Sequence, residues 1–400
     1  MNSFNNFIKF FKIQSIFLCA LFIAFNIDAS EKHIKHIFVH GTHGAMLGTG
    51  KISDVWRSKK NLYSTRLMSG QMGLVPYESI EKDICAPYML DAYKEVLNQI
   101  NNAGNPEFND ASHDFSLFNW SGKLSDSERK KACQVLHDAL KVEVESLKKD
   151  NIKSEIWLYA HSWGGAVCAY LSDYDDFKDW NIKLMMLATP IDSRIENSIK
   201  LFYEKGGRVT HLYSYNDMVQ VSDILSGSEQ PTPTRRRVKG KALGENSVNF
   251  TQMRINTPGR PMGFWETQKM AIKNITCGGI PFSMFPHDPT HADFWCVYWD
   301  KNNLFYSPLP VIVWGPILWS LAEKNNSCHD LDVCINCDKV NALFMMQEHG
   351  DEKYKNKKPV LDTYELPLTV VKKAQDALAP AQVQVEPATE TETLVAIPLA

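Results

Sequence analysis

At 400 residues the chain has room for one large domain with appendages, or for two modest domains. A hydrophobic content of 44% with 22% charged residues describes a globular chain able to bury a sizeable core and excludes one disordered throughout. The formal net charge of −3 gives no basis for a nucleic-acid partner.

The chain opens on Lys9 and Lys12, an apolar run over 13–27, and then Asp28-Ala29-Ser30. A basic start, an apolar middle and a small residue at the end make a secretory signal peptide, with cleavage expected after Ala29 and a secreted or periplasmic mature protein. The alternative is an uncleaved anchor, but the run is short for a bilayer span. Cys19 follows Leu18, where a lipid-modification site would carry a small residue. Eight cysteines remain beyond the signal: Cys85, Cys133, Cys168, Cys277, Cys296, Cys328, Cys334 and Cys337. An even number in an exported chain fits disulfides, although Cys168 reads as a buried free thiol and would leave an odd one.

Residues 33–39 alternate and end β-branched, so they predict a strand that runs into His40-Gly41-Thr42-His43-Gly44. Residues 45–87, punctuated by Gly48, Gly50, Gly70 and Gly73, give no assignable element. After Pro87 the spacing of Met89, Leu90, Tyr93, Val96, Leu97 and Ile100 predicts a helix. A loop at 101–110 leads to a strand at 113–119, closed by Trp120-Ser121-Gly122. Ser125 and Glu128 form a capping box for a long helix to about Lys149, with Ala132, Val135, Leu136, Ala139 and Leu140 inward.

The organising stretch is 155–171. Ile156, Trp157, Leu158 and Tyr159 read as a buried strand, and Ala166, Val167, Ala169, Tyr170 and Leu171 continue as a helix. Between them lies Ala160-His161-Ser162-Trp163-Gly164-Gly165. A serine on so tight a turn holds its hydroxyl out over the sheet edge, and the residues two before and two after it must be small, as Ala160 and Gly164 are.

Further strands are predicted at 182–187, before Ala188-Thr189-Pro190, and at 208–215, before Asn216-Asp217. Alternating strands and helices imply a mostly parallel, doubly wound α/β sheet with helices on both faces. Over 222–286 the alternation fades, apart from one further strand at 248–255, and the stretch reads as a lid or cap insertion. Its basic residues Arg235, Arg236, Arg237, Lys239 and Lys241 are either a solvated loop or a contact for anionic lipid head groups. Residues 309–322 are the most apolar of the mature chain and read as a last core helix, with lipid contact as the alternative. Cys328, His329, Cys334 and Cys337 have metal-ligand types, but a single C-x-x-C in an exported chain is read as a local disulfide and no metal is expected. From about Ala374 the composition is that of a disordered tail.

The string at 160–165 resembles the nucleophile elbow of the lipase/esterase-like α/β-hydrolases, with Ala160 in the first place of G-x-S-x-G. The resemblance covers about residues 34–295 and implies an α/β-hydrolase fold with a lid or cap before the catalytic histidine. It implies Ser162 as nucleophile, Asp217 as acid and His291, within His291-Ala292-Asp293-Phe294, as base. Asp192 and His287 are the alternatives for acid and base. The His40-Gly41 turn and the elbow would supply the amides of Thr42 and Trp163 as an oxyanion hole. His40, Gly41, His161 and Trp120 would border the substrate cleft, with Trp120 equally readable as plain core. The domain plan is then a signal peptide at 1–29 and a hydrolase domain at 30–325 containing the 222–286 insertion. A cysteine-containing extension follows at 326–373, and a tail at 374–400.

The activity implied is hydrolysis of carboxylic esters, lipase- or carboxylesterase-like, without a cofactor. The partners implied are an ester or lipid substrate and a peripheral membrane surface. An inactive scaffold used for binding, or an acyltransferase or thioesterase with the same residues, are the rival readings.

Overall fold

The computed structural model describes residues 32–42, 72–79, 87–102, 111–221, 234–239, 249–256, 268, 288–295, 311–324, 330–337, 341–348 and 360–365. The signal peptide read at 1–29, most of the 222–286 insertion, the tail at 374–400, and Cys85, Cys277, Cys296 and Cys328 lie outside them.

Among the described residues, seven strands pair in parallel: β1 (Lys32–Val39), β3 (Ala111–Asn119), β4 (Lys153–His161), β5 (Ile182–Leu187), β6 (Arg208–Tyr213), β7 (Phe250–Asn256) and β8 (Asp330–Cys337). Three more strands run antiparallel: β2 (Gly73–Pro76) on the β3 edge, then β9 (Asn341–Glu348) and β10 (Val360–Glu365) beyond β8. The order across the sheet is β10-β9-β8-β7-β6-β5-β4-β1-β3-β2. The expected mostly parallel α/β sheet is present.

Strand alternation sends successive side chains to two separate cores. On β1, Ile34 and Phe38 face one layer while Ile37 and Val39 face the other; on β4, Trp157 and Tyr159 oppose Ile156, Leu158 and Ala160. Being buried on both faces, β4 reads as a continuous apolar run from Ile156 to Ala160. The first layer is built on α1 (Pro87–Asn102), which presents Leu90, Tyr93, Val96, Leu97 and Ile100. The second holds α2 (Asp126–Lys149), α3 (Gly164–Ala169) and α4 (Ser193–Glu204). Right-handed crossovers that leave and return past β3 in opposite directions put α1 and α2 on opposite faces. Ser125 caps α2 by accepting a hydrogen bond from the Glu128 amide at 3.3 Å.

The apolar stretch at 309–322 is core. Val311–Trp314 and α5 (Gly315–Lys324) pack in the α1 layer, where Trp319 lies 6.2 Å from Trp157 and Gly315 fits against the Tyr159 ring. Pro316 sits in the first turn of α5, where a missing amide proton costs nothing. Among the described residues, no helix is long and apolar enough to cross a membrane.

The further strand expected at 248–255 is β7, and it lies within the sheet itself, between β6 and β8. Two expectations are corrected here. In the stretch expected as an appended extension, β8, β9 and β10 continue that sheet. Cys334 is a free thiol, as are the buried Cys133 and Cys168. Positions 334 and 337 share one extended strand, so their α-carbons stand about 10 Å apart, beyond the reach of a local disulfide.

At the amino ends of β1, β4, β5 and β6 lies a network of charges. Lys183 bridges Glu155 at 2.8 Å and Glu323 at 2.6 Å, Lys32 reaches Glu155 at 2.9 Å, and Arg208 reaches Glu323 at 3.2 Å. Burial raises the cost of ionising Glu155, but Lys183 and Lys32 more than offset it and hold the carboxyl below its ordinary range. Replacing Lys183 with methionine leaves a buried carboxylate with one partner fewer and should cost about 3 kcal/mol at neutral pH. A depressed carboxyl contributes stability above its unfolded pKa and loses it as pH falls, so the wild-type advantage should shrink on acidification. Urea denaturation of both proteins at pH 7 and pH 4 measures this; an equal difference at the two pH values would refute it.

Candidate active site

β4 ends at His161, and Ser162 turns the chain with φ 53°, in the left-handed region that a non-glycine residue occupies at a cost of about 1–3 kcal/mol. The turn is held from both sides. The Ser162 amide donates to the Leu187 carbonyl of β5 at 2.8 Å, and the Ser162 carbonyl accepts from the Gly165 amide at 3.0 Å. From the other side, a Cβ at Gly164 would collide with the carbonyl oxygen of His40, and one at Gly165 with Thr189. A Cβ at Gly41 would stand 2.5 Å from that of Ser162. The small residues around the serine are therefore a consequence of β1 and β5 closing on the elbow.

Strand order explains why the turn sits here. From β1 the chain goes to β3 on one side; from β4 it goes to β5 on the other. The carboxyl ends of β1 and β4 thus flank the point where winding reverses, the usual place for a ligand crevice in an open α/β sheet.

The turn after β1 is rigidly supported. Trp120 donates its indole N–H to the His40 carbonyl at 2.8 Å, and the two rings stack at 5.5 Å. His40 Nδ1 lies 2.6 Å from the Gly41 carbonyl oxygen and its Nε2 lies 3.4 Å from the Trp120 amide. Both side chains are turned into the protein, so they brace the turn from behind. Gly41 rests against Ser162, which brings Thr42 beside it; the Thr42 hydroxyl is buried with no hydrogen-bond partner among the described residues. Trp163 packs its ring 4.2 Å from the guanidinium of Arg129, which is fully buried in α2.

Asp217 follows β6 and is wholly buried. Its Oδ1 accepts from the amides of Val219 at 2.9 Å and Gln220 at 3.2 Å, and its Oδ2 lies 2.9 Å from His291 Nδ1. Because a carboxylate only accepts, His291 Nδ1 is the donor, and in the neutral imidazole that tautomer leaves the lone pair on Nε2. Asp192 is committed elsewhere. It caps α4 through the amides of Arg194 and Ile195, and its other oxygen pairs with the Arg194 guanidinium at 2.7 Å. His287 lies outside the described residues.

The segment carrying His291 is tied down at several points. Asn216 Nδ2 donates to the Asp288 carbonyl at 3.0 Å, and Arg254 pairs with Asp288 at 3.0 Å and Asp332 at 3.5 Å while lying over the Tyr215 ring. The amide and hydroxyl of Thr290 both donate to Asp293 at 2.8 Å, capping the short turn Ala292–Phe294. His161 Nε2 donates to the His291 carbonyl at 3.0 Å. Of these supports, Thr290 and Asp293 had a sequence signal, the T-x-x-D of a capping box. Asn216, Arg254 and Asp288 had none, since they meet only across strands.

In the basic run expected as a solvated loop or lipid contact, the first three positions are partnered within the protein. Arg235 pairs with Glu196, Arg236 donates to the Asp217 carbonyl at 2.9 Å and Arg237 pairs with Asp330 at 3.1 Å. These arginines clip their segment to the body beside Asp217; Lys241 lies outside the described residues.

Burial is the main influence on Asp288, pushing its carboxyl up to about 6 against an ordinary 3.8, with Arg254 opposing and Asp332 reinforcing. The folded state therefore holds this proton more tightly than the unfolded chain. Its contribution to stability is greatest below pH 4 and declines between pH 4 and 6, by roughly 3 kcal/mol at most. Asp288→Asn should remove that decline, so that wild type loses stability relative to the variant over this window; parallel denaturation curves would show the opposite.

No family model matches the chain, and no curated protein matches it. Among solved structures it is similar to the phospholipase PlaB from Legionella pneumophila, solved in complex with thio-NAD, at 13% identity and a TM-score of 0.24. That match spans 50% of this chain and 43% of the other, and a likeness at that level fixes neither substrate nor chemistry.

Proposed function

We propose that the chain is a serine hydrolase of carboxylic esters, lipase- or carboxylesterase-like, acting through an acyl-enzyme on Ser162. The observation that carries this reading is a buried His291–Asp217 pair, 2.9 Å apart, with Asp217 after β6 and His291 beyond β7, in a chain whose Ser162 holds a left-handed backbone at the end of β4. Serine, aspartate and histidine come in the chain order of the α/β-hydrolases.

The Ser162 oxygen attacks the ester carbonyl as its proton passes to His291 Nε2. Asp217 holds the imidazole in the required tautomer and stabilises the imidazolium. The amides of Thr42 and Trp163 receive the oxyanion, and Gly41 is the residue that lets the first of them approach so closely. His291 returns the proton to the departing alcohol. It then takes one from water, which attacks the acyl carbon; the bond to Ser162 breaks, His291 returns the proton to the Ser162 oxygen, and the acid is freed. Every step needs only this chain's residues and water. His40 and Trp120 serve as the back wall of the oxyanion turn. A lipid or other ester is the substrate class, met in the secreted or periplasmic space and in peripheral contact with a membrane surface.

With p-nitrophenyl butyrate as probe, Ser162→Ala should lower kcat by at least about 10⁴-fold and abolish labelling by a fluorophosphonate. Asp217→Asn should lower kcat by about 10³–10⁴-fold while retaining the fold. Wild-type protein that neither hydrolyses esters of any chain length nor labels at Ser162 would instead make this an inactive scaffold. Transfer of the acyl group to an added alcohol or amine in preference to water would make it an acyltransferase. Export is checked separately: the mature protein should begin at Ser30, and a retained Met1 refutes the cleavage.

A further inference from the structure

His161 stands between the serine and the strand, and its ring meets three parts of the site at once. Nε2 donates to the backbone carbonyl of His291 at 3.0 Å. The ring lies 4.7 Å from the His291 ring and stacks at 5.5 Å and 18° on Trp295, four residues beyond the base. Its opposite edge faces the oxyanion turn, with Nδ1 3.2 Å from where a Cβ on Gly41 would be. The side chain is 2% exposed.

We infer that His161 is a positioning residue: its Nε2–H holds the His291 backbone, and so the base, in register with Ser162 and the Gly41 turn. This rests on the reading of Ser162, Asp217 and His291 as nucleophile, acid and base. It assigns His161 to the support of the reaction instead of the substrate cleft. The Asp217 bond fixes one edge of the His291 ring, and Asn216, Arg254 and the Thr290–Asp293 cap hold the residues on either side of it. The His161 bond anchors the His291 carbonyl itself, and the residue supplying it is covalently next to the nucleophile. Base and nucleophile then move as one body.

The bond requires a proton on Nε2. Burial, foremost, and the charges of the neighbouring His291 and His40 lower the His161 pKa well below the ordinary 6.5, against the opposing pull of the His291 carbonyl, so the ring is held neutral. Trp295 closes the remaining ring face, so the ring has no route to solvent through that side.

The test compares His161→Phe, His161→Asn and His161→Gln in the full chain with p-nitrophenyl butyrate, each variant's folded state checked by circular dichroism and thermal melting. A glutamine amide reaches about as far as imidazole Nε2, whereas an asparagine amide stops short. Loss of positioning should lower kcat of the Phe and Asn variants by about 10- to 100-fold. KM should change by less than about threefold, because the substrate contacts are untouched. The Gln variant should recover most of the rate. If the Phe variant does not fold, the Asn and Gln pair carries the same comparison. An active wild type with a Phe or Asn variant of unchanged kcat overturns this inference alone. Equal losses in Asn and Gln variants also overturn it, leaving ring packing as the role. A wild type without Ser162-dependent hydrolysis overturns the underlying reading as well.

Discussion

The left-handed backbone at Ser162 survives because two strand ends close on it. β5 accepts its amide and β1 lays the carbonyls of Val39 and His40 against the first turn of α3. Neither contact is local in sequence. Both follow from β4 lying between β1 and β5, and both are open only to glycine at 164 and 165. A strained residue persists only where its surroundings over-determine it, and here the restraint comes from backbone on either side.

The same logic governs the rest of the carboxyl edge. Asp217 is wholly buried, which would be costly for an ionised carboxylate alone. Two amides on one oxygen and the His291 N–H on the other satisfy it. The turn that carries His291 is fixed in its turn by Asn216, the Arg254 ion pairs, the Thr290–Asp293 cap and His161. Four supports on eight residues leave the imidazole little freedom.

At the opposite edge the sheet handles charge differently. Lys183, Glu155, Glu323, Lys32 and Arg208 pair among themselves across four strands and α5, with no unpaired hydroxyl or imidazole offered to a ligand in that network. Ion pairs among these five residues clamp the amino ends of the strands, whereas at the carboxyl ends the Arg254 ion pairs stand beside hydrogen-bonded serine, histidine and carboxylate groups.

Much of this was legible in the chain because it is periodic or local. Continuous apolar runs marked the doubly buried strands, Ser125 with Glu128 marked the start of α2, and small residues around Ser162 marked a tight strand-to-helix turn. Other features could not be read there. The sheet membership of β7 and β8 depends on pairing with distant neighbours, so the strand read at 248–255 had no place in the sheet and residues 330–337 passed for an extension. The string put Asp217 ahead of Asp192, although both follow a strand. That a helix cap consumes Asp192, and that a histidine 74 residues away reaches Asp217, is visible only in the fold. Arg235, Arg236 and Arg237 looked like a solvated charge run until Glu196, Asp217 and Asp330 were brought alongside. Short-range stereochemistry writes itself into residue order; contacts closed by the winding of the sheet are decided only when strands from far parts of the chain lie side by side.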